Sequence, residues 1–445
     1  MRVLNGIMFF PRGGSAYVAR SLSRALTENG WAVRILSGSL PGGPGDADTF
    51  YADLDVHVVD FTTGEAPMQP SYEDHPGTAD RCFALIDDAE YEAHVAAWEN
   101  ALRHSEAAAC DVLLLNHLTP LNEAAARVVP GIPVVGHLHG TELLLLEQID
   151  DGPPAHWNHA VAWARRMRRW ARQCTRIVVQ TPGNIDRAVA LLGVDPTDCD
   201  VVANGFDATL FAPRPVDRDG IWRRALVDEP RGWRPREAPG SVAYAAEQVT
   251  VLEEAVILVA VGRYTAVKRL GLLIEAFARA ERRARRIPAL VIIGGYPGEY
   301  EGEHPWDAVQ RTGARNVFLA GWHDHSVLPD FLNAADAQVL ASVREQFGLV
   351  LVEGMACGLP ALAVNRLGPA EIVEDGRTGW LIDPDDRDQL TAAIVSVLDD
   401  DDERLRRGHH ARITATDRWG WPALSARLIR TLTVAQQTAP VRAAG

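Results

Sequence analysis

Apolar residues fall into short runs separated by longer amphipathic stretches, and this alternation predicts the architecture. Residues 3–10 read as a buried strand, 11–15 as a turn, and 16–29 as an amphipathic helix ended by Gly30. Runs at 32–36, 56–59, 112–116, 134–139 and 177–180 predict further strands, and 89–104 a helix. The second half repeats the scheme. It has a strand at 256–262, a helix at 270–286, and short strands at 290–294, 317–320, 337–340, 361–364 and 379–382. Strands alternating with helices in this way predict parallel βαβ units, hence two consecutive α/β doubly wound domains. The boundary is expected near 204–214. The stretch 214–248, with Pro230, Gly232, Pro235, Pro239 and Gly240 close together, is expected to be an insertion with a structure of its own. Polar excursions at 42–48 and 67–80 interrupt the first half.

At 445 residues the chain is long enough for two or three domains, and 47% apolar residues are enough for sizeable cores. No apolar run reaches 18 residues, so no membrane-spanning helix is expected, and no secretory signal is evident at the start. A cytoplasmic location is the resulting expectation. A net charge of −15 argues against a nucleic-acid partner. Five scattered cysteines, with no C-x-x-C pair, read as reduced and mostly buried thiols. One lysine, Lys268, stands in a chain whose other basic residues are all arginine.

Four segments are candidates for chemistry. The stretch from Glu345 through Phe347, Gly348, Leu349 and Val350 to Glu353 predicts a strand, a loop and a helix start, an arrangement that aims free amides and a positive helix end at one point. Glu345 in the loop and Glu353 one turn into the helix can then bind two parts of one ligand. Gly262 to Lys268 follows the first strand of the second half, where Arg263 and Lys268 can both reach a diphosphate. His137 and His139 lie on one face of a strand end; no convincing third metal ligand is near, and His139 is either a structural histidine or a substrate contact. Gly13 and Gly14, with Ser15, permit close backbone approach by a ligand after the first strand.

These segments, taken in order, resemble a known family. Gly13-Gly14, His139-Gly140-Thr141-Glu142, Asn204-Gly205-Phe206-Asp207, Gly262-Arg263 with Lys268, Glu345 and Glu353 with seven residues between them, the run from Gly368 to Val373, and Asp375-Gly376 with Thr378-Gly379 are similar to motifs of the retaining GT-B glycosyltransferases. That is the large family 4 type group that includes sucrose synthase and bacterial mannosyl- and N-acetylglucosaminyltransferases. In texture the chain looks like an actinobacterial enzyme of specialised metabolism. Leu367 departs from the pattern, standing where many relatives have the first of two glycines, and the 214–248 insertion is absent from the simplest members.

The resemblance implies two Rossmann-like doubly wound domains facing a central cleft. Residues 1–205, with a returning helix at about 420–436, would bind the acceptor, and 206–419 the nucleotide sugar. It implies Arg263 and Lys268 on the diphosphate, Glu345 on the donor sugar, Glu353 on the ribose, and the amides of Phe347 to Val350 on sugar and phosphate. Gly13 and Gly14 join the donor side. His139, Ser15, Thr141, Glu142 and Asn204 stand toward the acceptor, with His139 near the reacting centre. No cofactor and no catalytic metal are expected, and the Asp-x-Asp segments at 53–55 and 383–385 carry little weight. Partners would be a nucleotide sugar and a small soluble acceptor, with the chain a monomer or homodimer. An arginine-rich helix at 160–174 leaves a membrane-bound acceptor as the alternative. A pyridoxal-dependent phosphorylase, a sugar-nucleotide epimerase and a noncatalytic sugar-nucleotide binder are the competing readings.

Overall fold

The computed structural model describes residues 1–11, 13–43, 45–73 and 79–438. Arg12, in the turn after the first predicted strand, and parts of both polar excursions lie outside the described residues. The chain divides into two compact units, one of Met1–Asn204 with the segment from Trp421 onward, the other of Gly205–Gly420.

The first unit is built on a seven-stranded sheet, β1 (Arg2–Ile7), β2 (Ala32–Ser39), β3 (Asp55–Asp60), β4 (Val112–Asn116), β5 (Val134–His137), β6 (Arg176–Val179) and β7 (Cys199–Val201). Their order is β3-β2-β1-β4-β5-β6-β7, and every pairing is parallel. The order reverses between β1 and β4, which opens a crevice beyond their carboxyl ends. Helix α1 (Gly14–Glu28) turns Val18, Ala19, Leu22, Ser23, Ala25 and Leu26 inward, the three-four spacing of one helical face. Helix α2 (Asp88–His104) starts in a reciprocal capping box, Asp87 accepting from the Glu90 amide and Glu90 from the Asp87 amide. Helices α3 (Pro120–Val128), α4 (Thr141–Asp150) and α5 (Ala160–Gln173) follow, and the C-terminal helix Trp421–Thr438 packs on α1, β4 and β5.

On α5 the stripe Trp163, Met167 and Trp170 is buried as its spacing predicts. Its arginines, however, are largely neutralised within the unit: Arg166 pairs with Asp88, Arg168 with Asp150 and Arg169 with Glu123. No helix among the described residues is long and apolar enough to cross a membrane.

The second unit carries a six-stranded parallel sheet ordered β10-β9-β8-β11-β12-β13. Its strands are β8 (Val256–Val261), β9 (Pro288–Ile293), β10 (Val317–Gly321), β11 (Ala337–Leu340), β12 (Ala361–Val364) and β13 (Gly379–Ile382). Here the order reverses between β8 and β11. Helix α6 (Leu270–Glu281) connects β8 to β9, and α7 (Leu349–Ala356) connects β11 to β12.

Several elements end earlier than their apolar pattern. The helix expected to Arg286 stops at Glu281, because the Arg285 and Arg286 amides donate to Asp399 and Pro288 follows. The strand expected to His139 ends at His137, because Gly140 adopts φ 90° to open α4 and the His139 amide donates to Glu142. Strand β7 is a three-residue element, Cys199 and Val201 inward around Asp200, too short for its alternation to be read from the sequence.

The 214–248 insertion is ordered around two fully buried tryptophans. Trp222 lies on a helix, Arg218–Arg223, and donates to the Ala334 carbonyl at 3.2 Å. Trp233 donates to the Gly295 carbonyl at 3.0 Å and stacks on Tyr264 with centroids 5.7 Å apart. Burial pushes the Cys174 and Cys357 thiols up to about 12, which disfavours the reactive thiolate.

Candidate active site

In the second unit the residues singled out from the sequence gather beyond the ends of β8 and β11, at the reversal point. Beyond β8, the Gly262 amide donates to Ile293, and Gly295 returns a bond to the Gly262 carbonyl. A side chain on Gly294 would sit 2.2 Å from that carbonyl, so the two loops meet backbone to backbone. Arg263 is exposed on this loop. Lys268 closes a single 3₁₀ turn, Ala266–Lys268, before α6, and its stem lies along Gly262, 3.4 Å from where a Cβ would stand. Its ammonium forms an ion pair with Glu345 in the loop after β11.

That loop leads to Gly348, which caps α7 at φ 99°, a left-handed conformation that glycine adopts without strain. Leu349 and Val350 occupy the first turn of α7, whose amides have no acceptor within the helix. Phe347 is buried, and its backbone presses against Gly368, where a side chain would meet the Phe347 carbonyl at 2.2 Å. Glu353 lies one turn further on and is buried; His325, in the loop after β10, reaches its carboxylate at 2.6 Å. Burial disfavours the His325 imidazolium, but the hydrogen bond and charge of Glu353, helped by Asp207, outweigh it and raise its titration point.

In the first unit, histidines crowd the ends of β4 and β5. The His139 and His117 rings lie 4.5 Å apart by centroid, and His139 and His137 4.4 Å. His117 has φ 67°, a strained left-handed conformation for a non-glycine residue, held by its amide donating to His137 and by its ring nitrogen against Glu142 at 2.5 Å. Burial works against ionisation of Glu142, yet His117 and the backbone amides of Glu142 and His139 hold its carboxyl below the usual range. Burial and the neighbouring histidines push His139 well below its ordinary value and His137 down to about 4, so both rings are neutral at pH 7. His139 bonds Asn116 at 2.9 Å and Gln180 at 3.5 Å.

The other candidates are placed as follows. Glu142 is fully buried and acts on His117 and the His139 backbone. Thr141 opens α4, and among the described residues its hydroxyl has no hydrogen-bond partner, nor does the buried Asn204 side-chain oxygen. Gly13 and Gly14 are exposed at the start of α1 with nothing within 4 Å of where a Cβ would stand, and Ser15 is half-buried behind them. Asp53 and Asp55 are engaged by Arg20, Arg24 and Arg34. Sequence reasoning missed His117, Asn116, Asn5, Gln180 and His325. Asn116-His117 stood as two polar residues ending a run of leucines, the one visible sign of them.

Two family models match the chain in succession. The model for Glycosyltransferase Family 4 matches residues 12–210, and that for Glycosyl transferases group 1 matches 245–414. The chain belongs to the GT-B glycosyltransferases of this group. A D-inositol 3-phosphate glycosyltransferase of Thermomonospora curvata is 30% identical over 282 residues, 61% of this chain and 59% of that protein. One of Geodermatophilus obscurus is 36% identical over 183 residues, 40% of each chain. These matches thus span only two to three fifths of the relatives' length. Among solved structures, sucrose-phosphate synthase from Thermosynechococcus elongatus aligns over 98% of this chain and 99% of its own with a TM-score of 0.70 at 18% identity. Anabaena HepE in complex with UDP and glucose aligns over 97% and 99% with a TM-score of 0.69 at 17%. At such identity these two share the GT-B fold.

Proposed function

We propose that the protein is a retaining glycosyltransferase that moves a sugar from a UDP- or GDP-linked donor to a small soluble acceptor. The observation that carries this is the joining of Lys268 to Glu345 beyond the sheet reversal, beside the open first turn of α7. A nucleoside diphosphate needs compact positive charge and unpaired amides for its phosphates and carboxylates for its hydroxyls. Lys268, Leu349, Val350, Glu345 and Glu353 supply these. Arg263 and Lys268 neutralise charge developing on the departing diphosphate, the kind of stabilisation that is usually the largest catalytic contribution. His139, neutral, meets a sugar hydroxyl as a hydrogen-bonding group and not as an acid. Thr141 and Asn204 offer buried, unpartnered polar atoms on the acceptor side.

Relatives named as acting on inositol 3-phosphate favour a phosphorylated or polyhydroxylated soluble acceptor. The pairing of the α5 arginines with Asp88, Asp150 and Glu123 weighs against the membrane-associated reading. A role in actinobacterial specialised metabolism, on aminoglycoside, lincosamide or low-molecular-weight thiol precursors, fits the texture of the sequence. The transfer is proposed to need no metal.

Calorimetry with UDP, GDP, ADP and TDP in chelator tests the donor site. One nucleotide should bind tightly, and Lys268→Ala should lose about 10- to 100-fold of that affinity at unchanged melting temperature. Failure of all four to bind, with and without magnesium, or wild-type affinity in the variant, defeats the assignment. The anomeric configuration of the product, read by proton NMR, tests retention.

A further inference from the structure

A chain of buried amides runs from α1 to His139. The Asn5 side-chain nitrogen donates to the Ala19 carbonyl at 3.2 Å and to the Ser23 hydroxyl at 2.8 Å. A backbone carbonyl only accepts, so this end of Asn5 must be its NH₂ and the opposite end its oxygen. That oxygen faces Asn116, whose side-chain nitrogen lies 2.7 Å from it and 3.1 Å from the Gly6 carbonyl. Facing two acceptors, this end of Asn116 must again be the NH₂. The Asn116 oxygen is therefore left toward His139 Nε2, at 2.9 Å. Being an acceptor, it requires a hydrogen on Nε2. A neutral imidazole has one hydrogen, so Nδ1 carries the lone pair, with the Gln180 NH₂ at 3.5 Å beside it. Asn5 and Ser23 are fully buried, and Asn116 is 1% exposed, so water does not compete for these bonds.

We propose that Asn5 and Asn116 are positioning residues that lock His139 as the Nε2–H tautomer, so that its Nδ1 lone pair, met in the free protein only by the long contact from the Gln180 NH₂, accepts a hydrogen bond from a substrate hydroxyl in its place. The two backbone carbonyls, Ala19 and Gly6, are the fixed points. Strand β1 supplies Asn5 and the Gly6 carbonyl, strand β4 supplies Asn116, and their parallel register pairs Asn5 with Leu114 and Ile7 with Asn116. A one-residue slip in that register would break the relay. The inference rests on the reading that His139 touches substrate, but the tautomer is a property of the free protein.

The test is long-range ¹H–¹⁵N NMR on the full chain labelled at histidine, with His139→Gln to assign the signals. Wild type should show His139 as Nε2–H alone at neutral pH. Asn116→Asp replaces the NH₂ with a carboxylate beside Nε2–H and should move His139 titration upward by roughly one to three pH units. Asn5→Ala removes one of the two acceptors that orient Asn116, and an Nδ1–H population should appear. Wild-type Nδ1–H, a tautomer mixture in the wild type, or wild-type spectra in both variants would overturn the proposal. If Asn116→Asp does not fold, the wild type and Asn5→Ala decide. With a working transfer assay, Asn5→Ala should lower turnover by up to about 10-fold with donor KM little changed. The NMR result stands or falls separately from whether the protein transfers sugar.

Discussion

At the scale of residues, Lys268 shows how a rare side chain marks a site. Its stem lies along Gly262 and its ammonium pairs with Glu345, a single compact charge where a guanidinium would be a broad planar fork. A chain that uses arginine throughout thus keeps its one lysine where the charge is paired with a site carboxylate. Leu367 is the opposite case, a residue that departs from the family pattern and bears a cost. It adopts φ 53° and ψ −138°, a region that favours glycine, just before Gly368 presses on the Phe347 backbone. Such strain costs of order 1–3 kcal/mol, of which glycine would give back part to the added freedom of the unfolded chain. Leu367→Gly should stabilise the second unit by about 1 kcal/mol, raising its melting temperature by roughly 2–4 °C in scanning calorimetry. An unchanged or lowered transition would show that the Leu367 side-chain contacts outweigh the strain. The departure of Leu367 from the family pattern was legible in the sequence, but its backbone angle was not, because leucine carries no sign that its neighbours force it into a glycine conformation.

Among the elements, the loop after β10 is fastened to α7 by His325 on Glu353. The titration point of His325 is raised above its ordinary value of about 6.5. The contribution of the pair is then full below that ordinary value and lost as pH rises through the raised one. His325→Asn should destabilise the protein by about 1–2 kcal/mol at pH 6, and the gap should close by pH 9, as measured by urea unfolding at both values. A gap that stays constant or widens with pH would mean that the imidazolium is not what holds the loop. Strands and major helices could be read from the chain because each buries one apolar face, as α5 does with Trp163, Met167 and Trp170. What escaped was long-range polar pairing. His325 and Glu353 are 28 residues apart and Asn5 and Asn116 are 111 apart, and no local pattern joins them. That the 214–248 insertion is ordered was expected from its length, but what anchors it was hidden for a similar reason, since its two tryptophans are satisfied by carbonyls of Ala334 and Gly295, far along the chain.

For the whole molecule, a net charge of −15 sets a condition on any anionic ligand. The overall field repels a nucleoside diphosphate, so attraction must come from groups within about 8 Å, the screening distance at physiological salt. In the second unit Lys268, Arg263 and the open turn of α7 meet that condition. In the first unit the crowded groups are the neutral His137 and His139, Asn116, Gln180, and a His117 and Glu142 engaged with each other, a set suited to hydroxyls and not to a diphosphate. A nucleoside diphosphate without its sugar should therefore act on one unit only. Hydrogen–deuterium exchange with the bound nucleotide should show protection concentrated in 262–270 and 342–353, with 113–145 exchanging as in the free protein. At a hundredfold excess over its dissociation constant the ligand adds about 2.7 kcal/mol to the form that binds it, enough to slow exchange roughly a hundredfold wherever amides exchange through opening of the second unit. Protection that begins in 113–145, or that spreads evenly over the chain, would place the diphosphate elsewhere and undo the division of labour between the two units.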